Sequence, residues 1–433
     1  MSIIKSLNSD NKRIPKGVLE YLTALILITL PLENIYVSIA TIGFVIATIF
    51  IKKTRINFEQ AFLVPVLFFI IMVMSLLWTN NFSDSLSGLQ KALPFLIIPI
   101  VFLVIPNFLK ESLNRIFKIY GFTMVIYALI YIVIASINYI KTNNANVFFY
   151  KNLVPEDPGA IYMSVFASFS LFYFVQLSNR RNIEKTALSI VTLFLFLLSS
   201  KSIITVDFII IVCYYAFFAK ISSSTKMLTI ISVSIFLFFS IFFVKEVRER
   251  FMIEYETAFV DNTLKNSLET VKNKTHNVTL KEAWNCKTFQ QNDFFPGTAL
   301  RIYQTRIFKE MLSENNIFFT GFGLEASQEQ IRKKAKQYNL FYDYGEYNFH
   351  NQYIQTFAEL GLIGFIILVY MLFINIKNAF AKKDFLHIAF AITMIMLFLS
   401  ESFFCRQRGI VFFVLLFCLF NSSKNEETSN KTI

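Results

Sequence analysis

Charged residues are scarce in this chain. Only 16% of its 433 residues are Asp, Glu, Lys or Arg, whereas soluble domains carry about a quarter. Hydrophobic residues make up 55%, and they occur in runs of roughly 18 to 24, long enough as helices to cross the ~30 Å hydrocarbon core of a bilayer. The composition therefore excludes an ordinary soluble domain and predicts an all-α polytopic membrane protein in contact with membrane lipids.

Cysteine and histidine are also rare. The four cysteines, Cys213, Cys286, Cys405 and Cys418, have neither the spacing of a disulfide framework nor that of a metal site. No metal-ligand cluster and no Asp-x-Asp pair occurs in the sequence, so no metal and no other cofactor is expected. The net charge of +12 could suggest nucleic acid, but topology signals in membrane loops explain it better, and no nucleic-acid partner is predicted.

Twelve apolar segments are candidate spans. Lysine and arginine are concentrated in alternate short connections, which by the positive-inside rule predicts that both termini are cytoplasmic. The N-terminus is polar and basic without a small-residue cleavage site, so the first span is expected to be retained. The sixth span is expected to begin with Asp157 as its N-cap. The candidate spans are 18–32, 35–51, 60–77, 92–109, 116–139, 159–177, 183–199, 202–219, 226–244, 353–376, 384–401 and 409–420.

Residues 245–350 interrupt this pattern with a long polar segment between the ninth and tenth spans. On the predicted topology the segment faces outward, and its positive and negative charges nearly balance, so a folded loop with short helices is expected. The predicted organisation is spans one to nine in residues 1–244, the extracytoplasmic loop in 245–350, spans ten to twelve in 351–420 and a cytoplasmic tail in 421–433.

The end of this loop, PGTALRIYQTRIFKEMLSENN, predicts an amphipathic helix. Arg301 falls on its apolar face, where a guanidinium must meet an anion or stay partly wet. Arg306 falls on the opposite, polar side, with Glu310 as its i+4 partner. We therefore favour a functional role over a structural ion pair for Arg301, and expect Arg306 to be a solvated surface arginine.

The stretch HNQYIQTFAELGLIG places polar groups where the tenth span enters the membrane. On a helix from His350, the residues Asn351, Gln355 and Glu359 form one polar stripe. Glu359 is expected below the membrane surface, where an ionisable residue is by default functional or paired. His350 lies at the boundary, where a general base, an acceptor-positioning group and a helix cap are all compatible with the pattern.

Three more cations are predicted to face outward, against the positive-inside preference. Arg406 and Arg408 are candidates for holding an anion, with Glu401 as the competing structural partner, and Lys91 is a further candidate. Cations without a metal suit a lipid-linked diphosphate, because they neutralise its charge and stabilise a departing pyrophosphate.

Four segments resemble, in their order, the O-antigen ligase/polymerase superfamily of bacterial membrane glycosyltransferases: ALRIYQTRIFKEML, TGFGLE, YNFHNQYIQTFAELGLIG and SESFFCRQRGIVFF. The long loop before the His-Asn stretch and the twelve-span layout fit as well. The resemblance is confined to the C-terminal part of the chain. Residues 1–240 match mainly in topology, with WTNNFSDSLSGLQKAL as the locally suggestive part.

The resemblance implies a GT-C-like helical fold and a metal-independent reaction at the bacterial inner membrane. A glycan would move from an undecaprenyl diphosphate donor to an acceptor on the periplasmic face, and in ligases that acceptor is a lipid A-core sugar. It also implies catalytic roles for a loop arginine and a His-Asn histidine, which fall on Arg301 and His350. Many members have a tryptophan four residues after that arginine, where this chain has Thr305. Arg306 is therefore the alternative position.

Three functions are compared on this basis. A glycan ligase would use His350 on the acceptor hydroxyl, and would hold the donor diphosphate with Arg301, Arg406 and Arg408. A polymerase of the same superfamily would extend the glycan with the same groups. A lipid-linked sugar flippase or other transporter would predict several ionisable groups at mid-membrane or two matching halves, whereas the sequence has chiefly Asp207 and no evident repeat. The ligase is preferred, although these motifs do not encode the acceptor.

Overall fold

The computed structural model describes residues 16–50, 59–155, 157–228, 230–231, 234–235, 245–259 and 276–422. In these residues the chain is mainly helical. The strands found there are β1 (His276–Asn277) and β2 (Asp293–Phe294), two residues each, which pair in parallel. The predicted all-α class is confirmed for the described part of the chain.

The helices before the long loop follow the apolar runs of the sequence. The helix Lys201–Cys213 continues into a π-helical turn, Tyr214–Phe218. The ninth predicted span, 226–244, lies for most of its length outside the described residues. The described helices in this part are α1 (Lys16–Thr29), α2 (Asn34–Ile49), α3 (Gln60–Met74), α4 (Phe82–Ala92), α5 (Pro94–Val104), α6 (Lys110–Thr142), α7 (Ala160–Gln176), α8 (Asn182–Leu198) and α9 (Lys201–Cys213).

The remaining helices belong to the long loop and to the C-terminal apolar runs. The loop contributes α10 (Lys245–Phe259), α11 (Leu280–Asn285), α12 (Gly297–Glu314) and α13 (Ser327–Gln337). The apolar runs form α14 (Gln352–Lys382), α15 (Phe385–Leu397) and α16 (Gln407–Ser422).

Five helical segments of the described chain are long and apolar enough to cross a membrane: Gln60–Leu77, Phe82–Val104, Lys110–Thr142, Lys201–Phe218 and Gln352–Lys382. Helices α1, α2, α7, α15 and α16 are shorter and also apolar. All of these coincide with predicted spans. The fourth span begins earlier than expected, because α4 and α5 together form one apolar segment from Phe82. These findings indicate a membrane protein, and the total of twelve spans stays a prediction.

Helices α7 and α16 form the centre of the bundle. Nearly all side chains of α7 are buried, and those of α16 are buried from Arg408 to Ser422. Their phenylalanines interlock, with Phe412 lying 5.1 Å from Phe166 and 5.2 Å from Phe169 between ring centroids. Because lipid tails are as apolar as these rings, van der Waals packing supplies much of the association between such helices.

Residues 276–349 have an apolar core of their own. Phe289 and Phe295 pack edge to face with centroids 5.0 Å apart, and Tyr303 of α12 lies 5.5 Å from Phe295. Aromatic pairs in such arrangements contribute about 0.5–1.5 kcal/mol each beyond the area they bury. This core fixes α12, and hence Arg301, relative to the start of α14.

Helix α14 is interrupted at Gly361, whose φ of +65° and ψ of −164° are not helical. The backbone carbonyls of Ala358 and Glu359 turn to the loop at this point. They accept hydrogen bonds from the N–H groups of Phe322 and Gly323, at 2.8 and 2.9 Å. Non-helical backbone in a membrane helix is tolerated only where other groups satisfy it. The loop turn TGFG therefore completes the broken helix.

The glycines at this junction leave no room for side chains. A Cβ on Gly361 would lie 2.2 Å from the carbonyl oxygen of Phe319, and one on Gly321 would lie 2.3 Å from the carbonyl carbon of Glu359. The Gly321-x-Gly323 pair lacks the strand and helix of a nucleotide site in the sequence, and its pattern predicts a tight turn. The structure has such a turn, with φ of +69° and +102° at the two glycines.

Candidate active site at the start of the broken helix

His350 lies at the end of the loop and directly before α14. The sequence predicts a helix that includes His350, and this prediction is wrong. Its φ is +45°, and its backbone N–H donates to Asn348 Oδ1 at 2.9 Å. The helix begins at Gln352, and the Asn351 side chain caps it by accepting a hydrogen bond from the N–H of Ile354 at 3.1 Å. Asn351 thus caps the helix, and the imidazole of His350 has no part in the cap.

The imidazole of His350 faces the carboxylate of Glu401. His350 Nδ1 lies 3.5 Å from Glu401 Oε2, and these two buried atoms have no hydrogen-bond partner among the described residues. The distance exceeds that of an ordinary hydrogen bond, but catalytic hydrogen bonds are often long before substrate binds. A carboxylate on Nδ1 favours the tautomer that leaves Nε2 as acceptor. The His350 side chain is 25% exposed, so the ring is accessible from solvent.

The segment between α15 and α16 holds the start of α14 in place. The Gln352 N–H donates to the Phe398 carbonyl at 2.8 Å. The Asn351 N–H donates to Ser402 Oγ at 3.1 Å, and the Asn351 side-chain amide donates to the Leu399 carbonyl at 3.2 Å. These bonds fix the backbone on both sides of Glu401 relative to the backbone next to His350.

Arg301 reaches the same segment from α12. Its Nε and Nη2 donate to the Ser400 carbonyl at 3.1 and 2.9 Å, and Nη1 donates to the Gly297 carbonyl at 3.0 Å. In the part of the chain that the structure describes, no carboxylate forms an ion pair with Arg301. Its positive charge is therefore held by neutral carbonyls next to the backbone of Glu401, and remains available to an anion.

Arg306 has a different environment, and one expectation for it is wrong. Its pairing with Glu310 is confirmed, at 3.0 Å. However, the side chain is only 11% exposed, because Nη1 donates to the Cys286 carbonyl at 2.7 Å and the guanidinium lies 4.5 Å from the centre of the Tyr338 ring. Burial raises the pKa of the Glu310 carboxyl, but hydrogen bonds from Tyr338 and Lys334 bring it below its usual value. Arg306 is thus part of a buried charged network in the loop.

The predicted polar stripe of α14 is present at Gln355 and Glu359. Gln355 donates from Nε2 to Glu359 Oε1 at 2.5 Å and to Ser327 Oγ at 3.1 Å. Its Oε1 accepts the N–H of Phe349 at 3.2 Å. Glu359 is buried and does not contact His350. The stripe therefore faces the loop, and Gln355 links Glu359 to the residue that precedes His350.

Lys91, at the end of α4, is paired with Glu325 of the loop at 2.8 Å. It also lies within electrostatic range of Glu359. Nearby, the indole N–H of Trp78 donates to the Thr320 carbonyl at 2.9 Å. The stretch WTNNFSDSLSGLQKAL, which the sequence marks as locally suggestive, therefore packs against the TGFG turn.

Arg408 is fully buried and is paired with Asp157. Its Nη2 lies 2.6 Å from the Asp157 carboxylate, and its Nη1 donates to the Leu30 carbonyl at 3.1 Å. Glu401, which the sequence offered as the competing partner, instead faces His350. The partner is thus a residue 251 positions earlier in the chain.

Arg406 shares the same carboxylate but stays 46% exposed. Its Nη1 lies 3.5 Å from Asp157 Oδ1 and donates to the Pro158 carbonyl at 3.1 Å, while its guanidinium lies 5.3 Å from the centre of the Tyr162 ring. The prediction that Asp157 caps the sixth span is wrong. The N-cap of α7 is Gly159, and no side chain caps it, because the Asp157 carboxylate is turned towards the two arginines.

Apolar helices of membrane-spanning length define a helical membrane protein. Within it, residues 186–369 match the family model described as O-Antigen ligase. This match confirms the resemblance to the O-antigen ligase/polymerase superfamily, whose members are membrane glycosyltransferase-like enzymes. The matched region includes Arg301, the TGFG turn and His350, and it ends before Glu401. No curated protein sequence matches the chain.

Proposed function

We propose that this protein is a membrane glycosyltransferase of the O-antigen ligase type. It transfers a glycan from undecaprenyl diphosphate to a lipid A-core or similar acceptor on the periplasmic face of the bacterial inner membrane. The convergence of His350, Glu401 and Arg301 at the start of α14 carries this proposal, because it brings a candidate base close to a cation that has no ion-pair partner among the described residues. His350 and Arg301 lie within the region that matches the family model, and Glu401 follows it. The proposed reaction uses no metal and no other cofactor.

In this proposal His350 acts on the acceptor. Its Nδ1 faces Glu401, so Nε2 takes the proton from the acceptor hydroxyl as that oxygen attacks the anomeric carbon of the donor. The carbon–oxygen bond to the diphosphate breaks on the opposite side, which inverts the configuration. Its electron pair leaves with undecaprenyl diphosphate, and the proton remains on the imidazole until it passes to solvent.

Arg301 is the proposed main partner of the departing diphosphate. Of the four predicted outer cations, Lys91 is paired with Glu325, while Arg406 and Arg408 share Asp157. The start of α14 adds the partial positive charge of a helix N-terminus near the same place. Arg406, half exposed on the segment that also carries Glu401, is proposed to reach the second phosphate.

The buried members of the predicted site have supporting roles in this proposal. Asn351 caps α14, Gln355 and Glu359 hold the loop against it, and Arg408 fixes the segment that carries Arg406. Lys91 binds the donor only if it leaves Glu325. In the resting structure it therefore contributes mainly by joining α4 to the loop.

The two loop arginines give a matched test of this assignment. Arg301→Lys is expected to raise the KM for the donor, because a lysine cannot reproduce the fork that a diphosphate engages, and to lower the melting temperature less than Arg306→Lys does, because Arg301 forms no ion pair among the described residues. Arg306→Lys is expected to lower the melting temperature, because it disrupts a buried network, while the donor KM stays near that of the unmodified protein. The opposite pattern would assign the donor site to Arg306.

A deletion strain tests the function itself. Loss of a ligase leaves long glycan on the lipid carrier and lipid A-core without glycan, as seen by lipopolysaccharide gel and lipid-carrier analysis. A core carrying a single repeat unit would instead identify a polymerase of the same superfamily. If neither the lipopolysaccharide nor the carrier pool changes, the glycosyltransferase proposal is wrong.

A further inference from the structure

A cavity of about 210 Å³ lies at the end of the bundle opposite to His350. Helix α14 connects the two places. It starts at Gln352, next to the histidine, and ends at Lys382, next to the cavity. The unbroken piece from Leu362 to Lys382 alone corresponds to roughly 31 Å of helix, so the cavity does not belong to the site at His350.

The charge of this cavity is positive. Lys110 and Lys383 line it from the start of α6 and the end of α14, and both side chains are exposed. In the described part of the chain neither lysine forms an ion pair. The acidic residue of the lining is Asp384, whose carboxylate accepts the N–H of His387 at 3.0 Å and so caps α15. The cavity lining therefore contains two lysines and one carboxylate, and that carboxylate is already engaged as the N-cap of α15.

Polar neutral groups surround the lysines, and aromatic rings form the apolar wall. Asn114, Gln176 and Tyr214 supply amide and hydroxyl groups to the lining. The rings of Phe385 and Tyr214 lie 4.4 Å apart between centroids, and Phe420 also lines the wall. A ligand that fits both parts is an amphiphile, with a phosphate at the lysines and an apolar portion against the rings.

We propose that this cavity binds the headgroup of an anionic phospholipid from the leaflet opposite to the active site. Lysines at the ends of spans attract anionic headgroups, and basic pockets between membrane helices bind them. The phosphate would lie between Lys110 and Lys383, and the glycerol and upper acyl chains would contact Phe385 and Phe420. The site would tie the ends of α6 and α14 together through the lipid. Lipid binding here is independent of the proposed glycosyl transfer.

The test uses the purified full-length protein in detergent, with native mass spectrometry and melting curves as readouts. Phosphatidylglycerol, phosphatidylcholine and inorganic phosphate are the three probes. Phosphatidylglycerol is expected to bind and to raise the melting temperature, and the other two are not. Lys110→Gln combined with Lys383→Gln is expected to weaken phosphatidylglycerol binding about 30-fold, since each lysine contributes a factor of about five.

The matched control is Lys118→Gln combined with Lys185→Gln. It removes the same charge from exposed side chains on α6 and α8 that do not line the cavity, and should bind phosphatidylglycerol as the unmodified protein does. If phosphatidylglycerol binding weakens equally in the control, the effect comes from general surface charge and the proposal is overturned. Equal binding of phosphatidylcholine would also overturn it, as would stabilisation by inorganic phosphate alone.

Discussion

Replacing His350 with alanine is expected to lower the rate of glycan transfer about 10²- to 10⁴-fold, the usual contribution of a positioned general base. The loss should appear in kcat, because Arg301 and the donor contacts remain. The melting temperature should change little, since the side chain is partly exposed and makes no packed hydrogen bond. The assay is transfer from a lipid-linked glycan to purified acceptor by the purified protein.

His276→Ala is the matched control for that experiment. His276 also lies in the loop and contacts a carboxylate, Glu282 at 3.2 Å, but it belongs to the short β1 strand away from α14. Its replacement should leave kcat unchanged. If His350→Ala transfers glycan as fast as His276→Ala does, His350 is not the base.

Glu401→Gln separates the positioning role of this carboxylate from a structural one. It keeps the shape of the side chain but removes the charge that faces Nδ1 of His350. We expect kcat to fall at least about tenfold while the donor KM and the melting temperature stay the same, with Glu401→Asp recovering part of the rate. If the glutamine variant has an unchanged kcat, the contact between Glu401 and His350 has no role in catalysis beyond packing.

Gly361→Ala is expected to have the largest effect on folding. Alanine at φ +65° and ψ −164°, a region that essentially only glycine adopts, costs about 1–3 kcal/mol, and its Cβ would lie 2.2 Å from the Phe319 carbonyl oxygen, for which overpacking adds about 1–3 kcal/mol. The variant should lose roughly 2–6 kcal/mol of stability. Transfer should fall with it, because the TGFG turn that orders the loop would be displaced. Thermal unfolding in detergent measures the first effect.

Gly43→Ala is the control for this substitution. Gly43 lies inside α2, and a Cβ there would meet nothing within 4 Å. Alanine is the better helix former by about 1 kcal/mol, so this variant should melt at the same temperature or slightly higher. Equal melting of the two variants would show that the junction tolerates a side chain, and the account of the broken helix would then be wrong.

The sequence predicts those features of the fold that depend on spacing within a single helix. Run length located the apolar helices, and the four-residue spacing predicted the pair Arg306–Glu310 and the polar stripe that contains Gln355 and Glu359, both of which are present. A helical wheel assigns a residue to a face but does not show what covers that face. The wheel places Arg306 in water for this reason, whereas the loop carbonyl of Cys286 covers it.

The partners of the outer cations were beyond such reasoning because they come from distant parts of the chain. Asp157 and Arg408 are 251 residues apart, and Lys91 and Glu325 are 234 apart. Proximity in sequence predicts Glu401 as a partner of the arginines, although the packing of α14 places it opposite His350. The break at Gly361 had only the local glycines as a signal, and these also fit an unbroken, closely packed helix.

The break in α14 also sets the height of the site above the bilayer. The piece from Leu362 to Lys382 is by itself ~31 Å of helix, which matches the ~30 Å hydrocarbon core. The short piece from Gln352 to Leu360, which is ~13 Å long, lies beyond it. His350 would then stand at the level of the lipid headgroups or beyond. In the proposed reaction a hydrophilic sugar acceptor then approaches His350 from water, while the polyprenyl tail of the donor stays in the membrane.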